Sequence, residues 1–270
     1  MPAGPDEPAV TARLRAAGCV FAEEEARLLV SSAATPADLD DMVSRRAAGL
    51  PLEHILGWAE FCGLRIGLEA GVFVPRRRTE FLVREAARLT RTGALVVDLC
   101  CGSGALGAAV HAAQPGIELY AADIDPVATA CARRNLAGVG QVFLGDLFAP
   151  LPGGLRGRVD VLIANVPYVP TDEVRLLPAE ARDHEARGAL DGGPDGLDVL
   201  RRVAAGAPDW LAPGGHLLSE TGDPQAADAL AIMAGNGLSG RVARSLDLWA
   251  TVVVGTRPAC SSPSAALHPA

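Results

Sequence analysis

The strongest constraint on how this chain can fold is an alternation that begins at Gly93, where short apolar runs of strand length are each followed by a segment with helical spacing. Residues 94–98, 117–122, 142–144, 159–164, 216–220, 241–244 and 248–255 read as strands, and residues 105–113, 126–137, 196–207 and 224–234 as helices. Parallel neighbours need a crossover, so this order predicts a mostly parallel sheet buried between two layers of helix. The last two strand runs have no helix between them, so the closing strand is expected to be an antiparallel hairpin partner.

Upstream the pattern differs. Residues 8–17, 22–30 and 36–48 have helical spacing, and Thr35-Pro36 with acids just after it predicts a capped helix start. Between Trp58 and Val74, apolar residues alternate around Gly63, Gly67 and Gly71, which suggests a hairpin. The expected division is a helical unit at 1–57, a hairpin linker at 58–78, an α/β domain at 79–257 and a disordered Ser/Pro/Ala-rich tail at 258–270.

Charge narrows the function classes. All 24 basic residues are arginine, against 32 carboxylates, for a net charge of −8. Up to Val74 the balance is six arginines against eleven acids, a net −5, which leaves −3 for the remainder. Neither part reads as a general nucleic-acid binder. The absence of lysine removes Schiff-base lysines, phosphate-loop lysines and lysine general bases, although codon bias in a GC-rich genome is the simpler cause. Cys19, Cys62, Cys100, Cys101, Cys131 and Cys260 show no C-x-x-C spacing, and the histidines do not cluster around them. Reduced, buried thiols and no metal are expected. The start of the chain lacks the basic and apolar regions of a secretory signal, and no apolar stretch has the length of a membrane span, so a cytoplasmic protein is expected.

After the first strand of the alternation, Asp98-Leu99-Cys100-Cys101-Gly102-Ser103-Gly104 turns tightly and opens a helix. Glycines here let the backbone approach a cofactor, although nicotinamide, flavin and S-adenosylmethionine sites all use such a turn and tight helix packing also accounts for it. Asp123 ends the second strand, where a carboxylate can accept both hydroxyls of a ribose. Asp146, followed by Leu147, ends the third, where it can accept from an adenine amino group. Each alone could be a turn or helix cap; together beside the glycine turn they favour an adenosine pocket. The turn has no basic residue to oppose a pyrophosphate, so a cofactor bearing a sulfonium and an ammonium suits it better. The fourth strand runs into Asn165-Val166-Pro167-Tyr168, at the strand end where a substrate would meet that cofactor.

With these residues in view the chain resembles the HemK/PrmC family of N5-glutamine methyltransferases, which methylate the glutamine of the Gly-Gly-Gln motif in peptide chain release factors. The likeness runs from about Ala12 to Gly255. It rests on residues 46–57, 58–64 and 74–83, the glycine turn, Asn165 to Tyr168, the Leu190-Asp191-Gly192-Gly193 segment with residues 195–197, and residues 211–215. The Asn-x-Pro-Tyr signature is shared with DNA and RNA adenine methyltransferases; the 46–83 block and the Leu-Asp-Gly-Gly segment are more specific. The resemblance implies a class I S-adenosylmethionine-dependent methyltransferase fold, Rossmann-like, behind a small helical domain that grips a protein substrate. It implies that Asn165 Oδ1 and the Val166 carbonyl accept the two N–H groups of a glutamine amide while Tyr168 walls the site and Pro167 shapes it. Cofactor contacts are implied for Asp98, Cys100, Cys101, Gly102, Ser103, Gly104, Asp123, Asp146, Leu147 and Asn165, with Pro75, Arg76, Thr79 and Glu80 at the cofactor's edge. A monomer with no direct nucleic-acid partner is expected.

The sequence departs from the family's pattern in two places. Val166 stands where proline is usual, yet, preceding Pro167, it stays biased to extended backbone. Cys100 and Cys101 stand where glycine and threonine are common, and a Cβ at 100 restricts the approach of a cofactor. Arg76-Arg77-Arg78 reads either as a solvated basic turn or as a functional patch suited to a protein partner bound to RNA. Methylation of a nucleic-acid amino group and cofactor binding without turnover are the competing readings.

Overall fold

The computed structural model describes residues 7–259. The expected disordered tail lies outside the described residues from position 260 onward.

Four helices open the chain: α1 (Glu7–Ala16), α2 (Ala22–Ser32), α3 (Pro36–Ala47) and α4 (Leu52–Leu56). Thr35 caps α3 as expected, its hydroxyl accepting from the Asp38 N–H at 3.1 Å with Pro36 in the first turn. Val10, Leu14, Ala26, Leu29, Leu39 and Val43 form a core of their own. Buried among these helices, Arg46 forks onto Glu25 through Nε (2.5 Å) and Nη2 (3.0 Å) and also donates from Nη1 to Glu180 (2.7 Å), far along the chain.

The hairpin is β1 (Trp58–Phe61) with β2 (Leu64–Gly67), antiparallel. Asn135 holds it down, accepting from the Gly67 N–H (2.9 Å) and donating to the Gly67 carbonyl (2.8 Å), while Phe61 and Ile66 enter the main core.

The α/β part follows with α5 (Glu80–Leu89), β3 (Leu95–Leu99), α6 (Ala105–Ala113), β4 (Glu118–Asp123), α7 (Pro126–Asn135), β5 (Gly140–Leu144), β6 (Val159–Ala164), α8 (Ala179–His184), α9 (Asp198–Trp210), β7 (Leu211–Thr221), α10 (Ala226–Gly235), β8 (Ser239–Ser245) and β9 (Ala250–Thr256). The seven-stranded sheet has the order β5-β4-β3-β6-β7-β9-β8. It is parallel from β5 to β7, and β9 is slotted antiparallel between β7 and β8. The expected parallel sheet with an antiparallel closing strand is what forms.

Side-chain alternation divides the core into two faces. Val96, Val161 and Ile163 pack toward α5 and α6, while Leu95, Val97, Leu99 and Leu162 pack toward α9 and α10. The strand β7 begins earlier than its apolar run suggests. Pro213, Gly214 and Gly215 read as a turn, but a register shift between Val159 and Val161 absorbs the extra residues as a bulge, so the strand starts at Leu211. The helices α4 and α8 escape the sequence pattern because each is too short to show a period.

Removing the Arg46 guanidinium would leave Glu25 a buried, unpaired carboxylate. Arg46→Ala is therefore expected to cost about 3 kcal/mol of unfolding free energy. Urea denaturation measures it, and a loss under about 1 kcal/mol would mean the pair is an ordinary surface contact.

Candidate active site

The sheet winds in opposite directions on either side of the β3–β6 pair, and crevices open at the carboxyl ends of such strands. Leu99 and Ala164 are partners on one rung of that ladder, so the glycine turn and the Asn165 turn leave the sheet side by side. Between and around them lies a cavity of about 660 Å³, lined by both turns, by the carboxyl ends of β4 and β5, and by parts of residues 71–79 and 177–190.

At the glycine-turn end, Cys100, Cys101, Gly102 and Ser103 line the cavity with Asp123, Asp146 and Leu147. Cys100 has φ +54°, a left-handed conformation that costs an L-residue roughly 1–2 kcal/mol. Burial and the nearby Asp123, Asp98 and Asp146 push the Cys100 thiol up, and burial does the same to Cys101, so both stay protonated. Gly104, at φ +78°, starts α6 but does not line the cavity: a Cβ there would lie 3.1 Å from Leu136, so this glycine serves packing.

Asp123 accepts from the Gly102 N–H (2.8 Å) through one oxygen and the Asp125 N–H (2.9 Å) through the other, with burial raising its pKa. Each oxygen keeps a lone pair for a ribose hydroxyl. Asp146 pairs with Arg202 of α9 at 2.5 Å through Oδ2.

Asp98 corrects the sequence expectation. Its side chain points with that of Val96 toward α6, beneath the turn, and it does not line the cavity. One oxygen accepts the Gly107 N–H at 3.0 Å and the other has no partner. It supports the turn from below.

At the other end, Asn165, Val166, Pro167 and Tyr168 line the cavity. Val166 is 3% exposed and packs into the α9-side core, which fixes the turn without a proline ring. The Leu190-Asp191-Gly192-Gly193 segment lies against this turn. Val169 donates to the Leu190 carbonyl (3.1 Å) and accepts from the Gly192 N–H (2.8 Å). A Cβ on Gly192 would sit 2.6 Å from the Pro167 carbonyl oxygen, so only glycine permits this approach.

Tyr168 is held at both ends. Gln225 donates to its carbonyl (2.9 Å), and its hydroxyl donates to Glu220 Oε1 (2.7 Å) while accepting from Arg78 Nη2 (2.8 Å). Arg78 Nε also donates to Glu220 (3.0 Å). Asn165 Oδ1 is buried and has no hydrogen-bond partner among the described residues.

Pro75, Arg76 and Thr79 line the cavity, whereas Glu80 does not; it accepts from the Cys62 N–H instead. Thr79 Oγ1 is buried and unpartnered. Arg76 is clamped by Glu185 at 2.6 and 2.7 Å, so the basic turn is largely neutralised from within; of its three arginines, Arg76 and Arg78 have carboxylate partners among the described residues and Arg77 has none there. Sequence reasoning missed Glu185, Glu220 and Gln225. Glu220 was within reach, because it sits near the carboxyl end of β7 as Asp123 ends β4.

A parallel sheet closed by an inserted antiparallel strand, with both of these turns at its switch point, defines a class I methyltransferase. A solved methyltransferase from Pyrococcus furiosus shares this fold, with a TM-score of 0.56 at 17% identity over 73% of this chain and 90% of that one. The family model "Methyltransferase small domain" matches residues 64–196. The Geobacter sulfurreducens release factor glutamine methyltransferase is 40% identical over 73% of this chain and 69% of its own length. The enzyme of that name from Deinococcus radiodurans is 37% identical over 82% of this chain and 86% of its own. The chain belongs to the release factor glutamine methyltransferase family.

Asp98 gives the site a pH signature. Burial lifts its carboxyl to about 7 from an ordinary value of 3.8, against the opposing Gly107 N–H. The folded state thus keeps a proton that the unfolded chain has lost. Its contribution to stability is complete below about pH 4 and is lost as pH rises through about 7. Asp98→Asn cannot ionise. Between about pH 5 and pH 8 the wild type should lose on the order of 2 kcal/mol relative to the variant. Chemical denaturation at both pH values tests this, and parallel behaviour of the two proteins would contradict it.

Proposed function

We propose that this protein methylates the side-chain nitrogen of a glutamine, that of the Gly-Gly-Gln motif in a peptide chain release factor, using S-adenosylmethionine. The observation that carries the reading is Asn165 Oδ1, a buried acceptor without a donor at the cavity wall. Burying an acceptor unpaired costs about 1–3 kcal/mol, and an amide N–H from a substrate recovers it.

The residues present suit the cofactor. Asp123 retains free lone pairs for ribose hydroxyls, Asp146 Oδ1 is open to an amino group, and the turn from Cys100 to Ser103 lets the backbone approach. Leu147 offers an apolar wall, and Thr79 Oγ1 and Arg76 offer polar groups at the opposite edge. When bound, S-adenosylmethionine supplies an electrophilic methyl group on a sulfonium.

The rest of the task belongs to the chain. An amide nitrogen is a poor nucleophile because its lone pair is delocalised into the carbonyl. Asn165 Oδ1 accepts one amide N–H and the Val166 carbonyl accepts the other. No backbone N–H of the described residues is bonded to that carbonyl, so it is open to do so. Both acceptors pull electron density toward nitrogen and fix its orientation, while Tyr168 and Pro167 confine the flat amide. The Tyr168 phenol, its pKa raised by burial and by Glu220, stays neutral and needs no role as a base.

A protein substrate fits better than a nucleic acid. Each arginine lining the cavity, Arg76, Arg78 and Arg202, is already paired with a carboxylate. The helical unit is the proposed grip for the rest of the substrate protein: Arg46 reaches from it to Glu180, and His54 Nε2 donates to the Val72 carbonyl (2.8 Å), both at the cavity wall. The proposed setting is the cytoplasm.

Incubation with isotopically labelled cofactor and a release factor, followed by peptide mass mapping, should place one methyl group on the glutamine of Gly-Gly-Gln. Label on another residue or on nucleic acid would defeat the reading. Asn165→Ala is expected to lower turnover by at least about a hundredfold while cofactor affinity, measured by calorimetry, changes little. Loss of both would mean that Asn165 serves the cofactor instead.

A further inference from the structure

Glu220 is a buried carboxylate, 2% exposed, and the methyl-transfer account above gives it no contact with either reactant. Burying a carboxylate is costly, and Oε2 is left without a partner. A hydrophobic residue of similar size would serve packing better. What the carboxylate does make is specific: Oε1 accepts from the Tyr168 hydroxyl at 2.7 Å and from Arg78 Nε at 3.0 Å. Arg78 in turn donates to the Tyr168 hydroxyl at 2.8 Å, which closes a three-membered ring of hydrogen bonds. Gln225 holds the Tyr168 carbonyl at 2.9 Å, which anchors the backbone and leaves the ring's orientation to the contacts of its hydroxyl end.

We propose that Glu220, together with Arg78, is a positioning residue: it fixes the Tyr168 ring at the angle that confines the acceptor amide, and it acts only through Tyr168. The inference rests on the methyltransferase reading of the Asn165–Tyr168 turn, but the ring contact itself can be read without turnover.

The test uses the full-length protein and four variants: Glu220→Leu, which keeps bulk and removes the acceptor, Glu220→Gln, which keeps an acceptor in place, Tyr168→Phe, and the double variant Glu220→Leu/Tyr168→Phe. In steady-state kinetics with release factor, Glu220→Leu and Tyr168→Phe should each lower kcat roughly tenfold or more, with cofactor affinity within about twofold of wild type. Glu220→Gln should recover most of the loss, and the double variant should be no slower than the slower single one, because both changes break one contact. Multiplying losses, equal damage from Gln and Leu, or wild-type kcat in Tyr168→Phe would each overturn the proposal. If Glu220→Leu does not fold, Tyr168→Phe and Glu220→Gln still decide it. The second readout is NMR of protein labelled with 13C at tyrosine Cζ. The chain has two tyrosines. Glu220→Leu should move the Tyr168 resonance and leave that of Tyr120; an unmoved Tyr168 resonance overturns the contact. If wild type methylates no release factor yet the resonance moves, the substrate reading fails and the positioning contact stands.

Discussion

The site depends on one rung of the sheet. Leu99 and Ala164 are paired across the β3–β6 ladder, and the residues after them begin the two turns that define the cavity. Both strands are buried on two faces, so a one-residue slip of either would drive its apolar set out of register with both helical layers. Register therefore does more than stabilise the sheet: it fixes the distance between the glycine turn and the Asn165–Tyr168 turn before any loop contributes. The bulge lies in β7, between Leu211 and His216 opposite Val159–Val161 at the amino end of β6, and leaves that rung undisturbed.

At the cavity and in the helical unit alike, buried carboxylates meet arginines. Glu25, Glu185 and Glu220 are nearly inaccessible, and each is held by an arginine from a distant segment: Arg46, Arg76 and Arg78. A guanidinium presents a rigid fork of donors, so one side chain can join two elements at a defined angle, as Arg46 does for Glu25 and Glu180. Lysine would offer a point charge on a flexible stem. The arginines, whatever their origin in codon usage, are put to structural use at these three places, where segments apart in sequence are locked together.

What was legible in the sequence follows from this division. The sheet, the glycine turn, Asp123 and the Asn165–Tyr168 turn are encoded by local signals: apolar periodicity, small residues at a turn, polar residues at strand ends. Of the departures from the family's pattern, Cys100 takes a left-handed backbone within the turn itself, whereas Val166 is fixed by long-range packing against the α9-side core. The basic turn was not legible, because Arg76 and Arg78 are defined by carboxylates 109 and 142 residues away. Asp98 lies beneath the turn and not in the cavity because strand alternation at the end of β3 turns its side chain under α6. The conformation of residues 171–197 was hidden as well. It is set by backbone bonds to Val169 and Gly71 and by Gln225, which donates to both the Tyr168 and Asp195 carbonyls.

We propose that Asn165 Oδ1, without a partner among the described residues, holds a substrate amide beside the glycine turn. A crystal structure with S-adenosylhomocysteine and a Gly-Gly-Gln peptide tests this. The glutamine side-chain nitrogen is expected within hydrogen-bond distance of both Asn165 Oδ1 and the Val166 carbonyl oxygen, with the amide confined by Tyr168. A glutamine side chain bound elsewhere, with Asn165 Oδ1 still without a donor, would contradict it.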